Sequence, residues 1–261
     1  MTLKLLSYNV RFGGGGRESQ LAAVIKDADP DLVVLQEATD PRVVKRLSEE
    51  TGLNVWAAQK GRSIAYLSRV AVARHEWHRP RGSRRHFMEI ELEGSKLIVF
   101  GIHLSAVHAF WTERRRMREL RSLLAWVEAR GSGFHVMVGD FNTLAPGELL
   151  DAQKLPPRLR ALVWLSGGRV RYQTIQILLS AGYTDSFRRL YPEDLGYTFP
   201  TWDPHVRLDF AFLPQPHEDR ISDCRVLTEN PYVKEASDHF PLLVTLETSE
   251  VELQPTVVGA P

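Results

Sequence analysis

The sequence predicts an α/β fold, a mixed sheet system covered by helices, and three features of the chain carry that prediction. Short apolar runs of strand length recur at Leu3–Val10, Leu32–Leu35, Leu97–Ile102, Val136–Val138 and Leu242–Leu246. Segments with helical periodicity lie between several of them, as in Leu21, Val24, Ile25 and Ala28. From Asn54 to Glu93, however, short strands with period-2 patterns follow one another without an intervening helix, as antiparallel hairpins do. Crossovers mixed with hairpins give mixed sheets rather than a doubly wound parallel one.

Composition narrows the class. A chain of 261 residues, 43% hydrophobic and 25% charged, is an ordinary globular protein with enough length for a sizeable core. A net charge of +1 supplies no global field toward nucleic acid or membrane. The arginines are nevertheless clustered: Arg79, Arg81, Arg84 and Arg85; then Arg114, Arg115, Arg116, Arg118 and Arg121; then Arg158, Arg160, Arg169 and Arg171. One cysteine, Cys224, excludes an internal disulfide and a cysteine-rich zinc site. No apolar stretch of about 18 residues is present, so no membrane span is expected. The chain enters its first strand without a signal-peptide pattern, so a cytoplasmic location is expected. With no repeat or linker, residues 1–247 read as one domain and 248–261 as a mobile tail.

In order, Leu3–Val10 is a strand that delivers Asn9 and Arg11 on one face and ends at Gly13-Gly14-Gly15-Gly16. That glycine run lacks the Lys-Ser/Thr partner of a phosphate cradle and reads as a flexible loop. A helix from Arg17 to Ala28 stops at Pro30, and Leu32–Leu35 leads directly into Gln36-Glu37. Asp40 followed by Pro41 is a helix start, with the helix running to about Thr51. In the hairpin region Met88, Ile90 and Leu92 alternate with Glu89, Glu91 and Glu93, and His75 and His78 are taken as surface residues. The strand Leu97–Ile102 delivers His103. Thr112 is a candidate cap for a helix to about Ala129, with Met117, Leu120, Leu124 and Val127 inward and the arginines outward. The strand Val136–Val138 then runs into Gly139-Asp140-Phe141-Asn142, where the period of two aims Asp140 and Asn142 one way and Phe141 into the core.

Residues 144–171, with Pro156-Pro157 and Trp164, read as a lid or insertion, and Tyr172–Ala181 as a helix closed by Gly182. Arg207–Leu213 is a strand carrying Asp209 in its middle, and Ser237-Asp238-His239-Phe240-Pro241 precedes the last strand.

Five strand ends thus offer polar groups: Asn9, Glu37, His103, Asp140 with Asn142, and Asp238-His239, with Asp209 inside a sixth strand. Each has a simple structural explanation. Asp140 and Asn142 can close an Asx turn, His103 can be a hydrogen-bonded core histidine, and Asp209 can pair with Arg207. Their coincidence at apolar strand ends is what those explanations account for badly, since a carboxylate there is costly unless paired or bound. Hard oxygens from Glu37, Asp238 and Asn9 suit Mg²⁺ or Mn²⁺ better than zinc.

The ordered set Tyr8-Asn9-Val10-Arg11, Leu35-Gln36-Glu37, Gly101-Ile102-His103-Leu104, Gly139-Asp140-Phe141-Asn142, Arg207-Leu208-Asp209-Phe210 and Ser237-Asp238-His239-Phe240-Pro241 resembles the endonuclease/exonuclease/phosphatase superfamily, the DNase I-like fold. Each motif alone is weak; six in order across residues 3–247 are specific. The resemblance implies a four-layer α/β sandwich, two packed mixed sheets flanked by helices, that hydrolyses a phosphoester with metal-activated water. It implies Glu37 and Asn9 as metal ligands, with Asp238 able to join them. Asp140 would orient or deprotonate the water, Asn142 and His103 would contact phosphate, and His239, held by Asp209, would sit on the phosphate opposite the metal.

Where abasic-site endonucleases of the superfamily carry N-x-D and a tyrosine, this chain has Asn9-Val10-Arg11 and His103. It resembles more closely the branch of DNase I-type nucleases, sphingomyelinases and deadenylases, and Arg11 is then a phosphate contact. A nucleic-acid substrate is the expectation, DNA before RNA, with Trp111, Trp164 and Trp202 as stacking surfaces and no protein partner, the chain being monomeric. The alternatives are a lipid headgroup or small phosphorylated metabolite as substrate, and a non-catalytic binding protein of the same fold.

Overall fold

A computed structural model describes residues 2–106, 110–131, 133–148, 152–154, 157–165 and 171–248. They form two six-stranded mixed sheets, each carrying helices on its outer face. The first sheet contains β1 (Thr2–Asn9), β2 (Leu32–Gln36), β3 (Val55–Ala57), β4 (Ile64–Ser68), β11 (Ile221–Val226) and β12 (Leu242–Glu247), in the order β11-β12-β1-β2-β4-β3. The second contains β5 (Val72–His78), β6 (Phe87–Leu92), β7 (Ile98–His103), β8 (His135–Asp140), β9 (Tyr183–Asp185) and β10 (Asp209–Pro214), in the order β5-β6-β7-β8-β10-β9. Both are mixed for the same reason: β1 with β2 and β7 with β8 run parallel through a helical crossover, while hairpins and returning strands pair antiparallel.

Strand periodicity decides the layers. In β1, Leu3 and Leu5 point between the sheets and Leu6 and Tyr8 point outward; in β2, Val34 points inward and Val33 outward. The inner faces meet through Leu5, Val34, Ile64, Ile90, Val99 and Val138. Outside the first sheet lie α1 (Glu18–Ala28) and α2 (Pro41–Thr51), packing Leu21, Ile25, Val44 and Leu47 onto it. Outside the second lie α3 (Phe110–Arg130) and α5 (Gln173–Ser180), packing Leu120, Leu123, Ile175 and Leu178 against Phe100, Met137 and Phe212. The predicted four-layer α/β sandwich is what the chain forms. The remaining helices are short: α4 (Pro157–Leu165), α6 (Ser186–Leu190) and α7 (Val233–Ala236). Among the described residues no helix is long and apolar enough to cross a membrane.

Several expectations need correcting. Thr112 does not cap α3, which already includes Phe110; any cap falls at 107–109, outside the described residues. Nor do all its arginines face out. Arg116 is buried, with Nη1 donating to the Ser105 carbonyl at 2.8 Å and Nη2 to Glu113 at 2.9 Å. His78 is buried rather than superficial, 2.7 Å from buried Glu89, which also meets Arg74 and Arg130 at 2.8 Å. The neighbouring cations explain why a glutamate on the nominally polar face of β6 is enclosed. Gly13 and Gly14 form a buried 3₁₀ turn, Phe12–Gly14, with φ of 80° and 74° rather than a loose loop. Within 144–171, only the Ala152–Lys154 turn and α4 are described beyond residue 148, apart from Arg171. Arg169 and the proposed tail beyond Thr248 lie outside the described residues, as does the side chain of Arg158.

One glycine decides how the two central strands approach. Gly139 adopts φ 149°, and a Cβ there would lie 1.9 Å from the Ile102 carbonyl oxygen, so β7 and β8 can close beside Asp140 only around glycine. Gly139→Ala is expected to destabilise the protein by about 2–4 kcal/mol. In a thermal melt the midpoint should fall by roughly 5–15 °C; a fall under about 2 °C would mean the strands part without cost.

Candidate active site

The two sheets present the same end for one topological reason. Parallel β1 and β2 finish there with Asn9 and Gln36, parallel β7 and β8 with His103 and Asp140. The antiparallel strands begin there: Asp209 pairs with Asp140 across β10 and β8, and Leu242 with Ser7 across β12 and β1. Asp209 is therefore the first residue of its strand, not a mid-strand acid. Its predicted alternative partner, Arg207, is bonded instead to Asp185 at 2.9 and 2.6 Å and to Glu148 at 2.8 Å.

The centre of this end is one carboxylate oxygen. Asp140 Oδ2 accepts from Asn142 Nδ2 at 2.9 Å and from Asn9 Nδ2 at 3.1 Å. His103 Nε2 lies 3.8 Å away and His239 Nε2 3.9 Å. The other oxygen, Oδ1, accepts the Asn142 backbone N–H at 2.8 Å. That bond is an Asx turn, with Asn142 at φ 53°, so the turn and the convergence of polar groups are the same object. Asn142 Nδ2 also donates to the Leu104 carbonyl at 3.2 Å, joining the ends of β7 and β8, while Phe141 is buried against Phe210 and Phe212.

On one side of Asp140, Asn9 Nδ2 approaches Glu37 Oε1 at 3.5 Å, and the Phe12 backbone N–H donates to Glu37 Oε2 at 2.5 Å. The Asn9 side-chain oxygen accepts the Arg11 backbone N–H at 2.9 Å. Arg11 Nε lies 3.4 Å from Asp238, and its guanidinium sits over the rings of Phe12 and Trp202 at 5.5 and 5.9 Å. On the other side, His239 Nδ1 is 2.8 Å from Asp209 Oδ2. All nine candidate site residues are thus at this end: Asn9, Glu37, His103, Asn142, Asp209 and His239 around Asp140, and Arg11 with Asp238 beside them, joined through the Arg11 backbone bond to Asn9.

The electrostatics follow from burial and pairing. Burial disfavours a charged His239, yet the adjacent Asp209, through its charge and its bond, overrides that and pushes the imidazole up to about 10. Nδ1 is thereby committed to Asp209 as the donor and Nε2 turns to the site. Asp140 is raised by burial, with the His239 charge opposing and the Asp209 charge adding to the shift. His103 is pushed down to about 3 by burial first, then by Arg85 and His239, and is a neutral imidazole.

The supporting residues had no recognisable motif. Thr198 Oγ1 accepts the backbone N–H groups of Leu208 and Asp209 at 3.0 and 3.3 Å and holds the approach to β10. Ser237 Oγ donates to the Asn9 carbonyl at 2.6 Å and accepts from the His239 backbone at 3.3 Å, fastening one motif to another. The Phe199 ring lies 4.8 Å from His239. Four of the five non-glycine positive-φ residues among those described, Arg11, Phe12, Glu37 and Asn142, cluster here. Such backbone is retained where the surroundings over-determine it, commonly at functional sites.

A family model described as the Endonuclease/Exonuclease/phosphatase family matches residues 6–239, the span that carries every group above. The chain belongs to that family. No curated protein sequence matches it closely enough to count as a relative. Among solved structures, it resembles the 3′-5′ exonuclease NExo from Neisseria meningitidis at 21% identity and TM-score 0.69, covering 95% of this chain and all of that one. An AP endonuclease from Archaeoglobus fulgidus aligns at 18% identity and TM-score 0.71, covering 94% and 100%. A humanized D. rerio TDP2 aligns at 19% and 0.64, covering 95% and 99%. These likenesses establish the shared fold, and family membership supports phosphoester hydrolysis as the chemistry of this end.

Histidine titration checks the charge assignment. His239 is expected to stay protonated through neutral pH and to lose its proton near pH 10 in an NMR titration, and Asp209→Asn should bring that midpoint down by more than about 2 units. Because the folded value is raised, the pair's contribution to stability is fully present below the unfolded value of about 6.5 and disappears as pH rises through about 10. A wild-type midpoint near 6.5 would contradict the assignment.

Proposed function

We propose that the protein is a divalent-metal-dependent phosphodiesterase that cleaves its substrate by water attack, and that the substrate is nucleic acid, DNA before RNA. The observation that carries this reading is the pairing around Asp140 of a charged donor, His239 backed by Asp209, with a carboxylate–amide pair, Glu37 and Asn9. A phosphodiester is an anion that repels hydroxide, so hydrolysis needs positive charge on its oxygens and a base near the attacking water.

The donor set fits Mg²⁺ or Mn²⁺. Among the described residues no three carboxylate, imidazole or thiol side chains are placed to ligate one ion, as a zinc site would require, whereas one carboxylate with an amide beside it is what magnesium accepts alongside water and substrate phosphate. Glu37 and Asn9 would hold the ion, which when bound would polarise a phosphate oxygen and lower the pKa of water. Asp238, also assigned there by resemblance, is ion-paired with Arg11, and its nearer task is to aim that guanidinium at the phosphate.

The chain's own groups supply the rest. Asp140, made more basic by burial, takes the proton from the attacking water. His239 Nε2–H donates to a non-bridging oxygen as negative charge accumulates. Asn142 and neutral His103 donate to the same phosphate. The structural neighbours support nucleic acid: NExo is a 3′ phosphatase seen bound to product DNA hairpin, and another neighbour is an AP endonuclease. A non-catalytic binding role leaves this complete constellation unexplained.

The test is a substrate panel with Mg²⁺ or Mn²⁺ and with EDTA: duplex and single-stranded DNA, RNA, sphingomyelin and inositol phosphates. Nucleic acid is expected to be cleaved, cleavage to stop in EDTA, and His239→Ala or Glu37→Gln to lower kcat/KM by about 10³ or more. Cleavage that survives the chelator or His239→Ala would sink the mechanism, and hydrolysis of lipid or inositol phosphate alone would sink the nuclease reading.

A further inference from the structure

The arginine clusters at 79–85 and 114–121 are separate in sequence and contiguous in space. The loop between β5 and β6 is fastened to α3, where Ser122 Oγ donates to the Arg81 carbonyl at 2.9 Å. Along α3, Arg118 and Arg121 stand exposed a turn apart on the helix surface beside Ser122, about 5 Å along the axis. The other end of that loop reaches the active site. Met88 pairs with Gly101 across antiparallel β6 and β7, so β6 begins at the end where β7 finishes with His103. Arg85 lies in that loop, two residues before the start of β6. Arg62 adjoins Ser63, whose carbonyl accepts the backbone N–H of Ala38, next to Glu37.

Arg62 thus precedes the start of β4 at the end where β2 finishes, and the β5–β6 loop carries Arg79, Arg81 and Arg85 from that same end to the surface of α3 that bears Arg118 and Arg121. Solvated arginines on a helix would ordinarily alternate with exposed acids. Here the acids of the first three turns of α3 are turned inward: Glu113 and Glu119 are buried, bonded to Arg116, Thr143, Thr174 and Ser105. Among the described residues none of Arg62, Arg79, Arg81, Arg85, Arg118 and Arg121 forms an ion pair with a carboxylate. Charge of one sign, segregated by burial of the other, has a polyanion as its natural counterpart.

We propose that this track, from Arg62 through the β5–β6 loop to Arg118 and Arg121 of α3, binds the backbone of a nucleic-acid strand whose scissile phosphate lies at Asp140. The inference rests on the nuclease reading and adds the strand's path: it leaves the site on the His103 side and crosses the second sheet's outer layer. Arginine suits this because its planar fork meets phosphate oxygens two at a time. Arginines strung along one loop and one helix match a strand; an anionic membrane surface would ask for a broad basic face rimmed by apolar side chains.

The experiment compares wild type with Arg81→Gln/Arg118→Gln/Arg121→Gln, none of which is placed in the catalytic machinery. Binding is read by anisotropy of a fluorescein-labelled single strand of about 20 nucleotides in EDTA at several salt concentrations. Hydrolysis of bis(p-nitrophenyl) phosphate reports the site alone. The triple variant should hydrolyse the small diester as wild type does and bind the strand at least about tenfold more weakly. Its slope of log K against log salt should be shallower by about 2, some 0.7 for each phosphate that is no longer neutralised. Unchanged affinity and slope in the variant would overturn the track. So would failure of wild type to bind the strand, or sedimentation with phosphatidylserine vesicles in its place. Strand binding that the variant weakens, without any cleavage by wild type in Mg²⁺, would uphold the track and sink the nuclease reading.

Discussion

The structure depends on keeping one buried carboxylate surrounded by donors. Asp140 is enclosed at the end of β8, where an ionised carboxyl would be expensive were it not met by amide N–H groups from Asn9 and Asn142 and by the charged imidazole of His239. Those partners come from β1, the turn after β8 and the segment before β12, so the carboxylate fixes the relative height of both sheets. Gly139 lets β7 approach, Ser237 ties the β12 side to Asn9, and Thr198 holds the backbone that presents Asp209. The fold is the means by which residues distant in sequence meet at a single oxygen.

Polarity elsewhere in the molecule is handled by the same rule. Buried Arg116 is matched by Glu113 and by the Ser105 carbonyl, and through Thr143 and Thr174 the same glutamate reaches the segment after Asn142 and the start of α5. One face of α3 thus buries charge behind the loops that follow β7 and β8, while Arg118 and Arg121 are exposed away from those acids. That division gives a near-neutral chain a local basic patch, which its overall charge of +1 conceals.

Much of this was legible in the sequence because short-range rules govern it. Strand-length runs rich in apolar residues located β1, β2, β7, β8 and β12, alternation located β6, and the Asp40-Pro41 pair located the start of α2. Polar residues at apolar strand ends identified the groups that meet around Asp140, because enclosure makes such residues costly without partners. What escaped was set by tertiary contact. Nothing local distinguishes Arg116, which is buried, from Arg118, which is exposed two residues on. Glu89 and His78 read as surface residues because period-2 patterning assumes one solvated face, and Arg74, Arg130 and Trp126 close over that face. The left-handed backbone at Arg11, Phe12 and Glu37 has no glycine to announce it. Thr198 and Ser237 work through backbone contacts that no residue pattern encodes.

The central claim is that Asp140 and His239 act on one phosphate as a unit, each effective only while the other is in place. A double-mutant cycle of Asp140→Asn and His239→Ala, measured as kcat/KM on a phosphodiester in Mg²⁺ with folding checked by circular dichroism, tests it most directly. Each single substitution should cost about 10³ or more, and the double should cost little beyond the worse single. Losses that multiply, leaving the double variant weaker by the product of the two, would show that the residues act independently and would contradict the account.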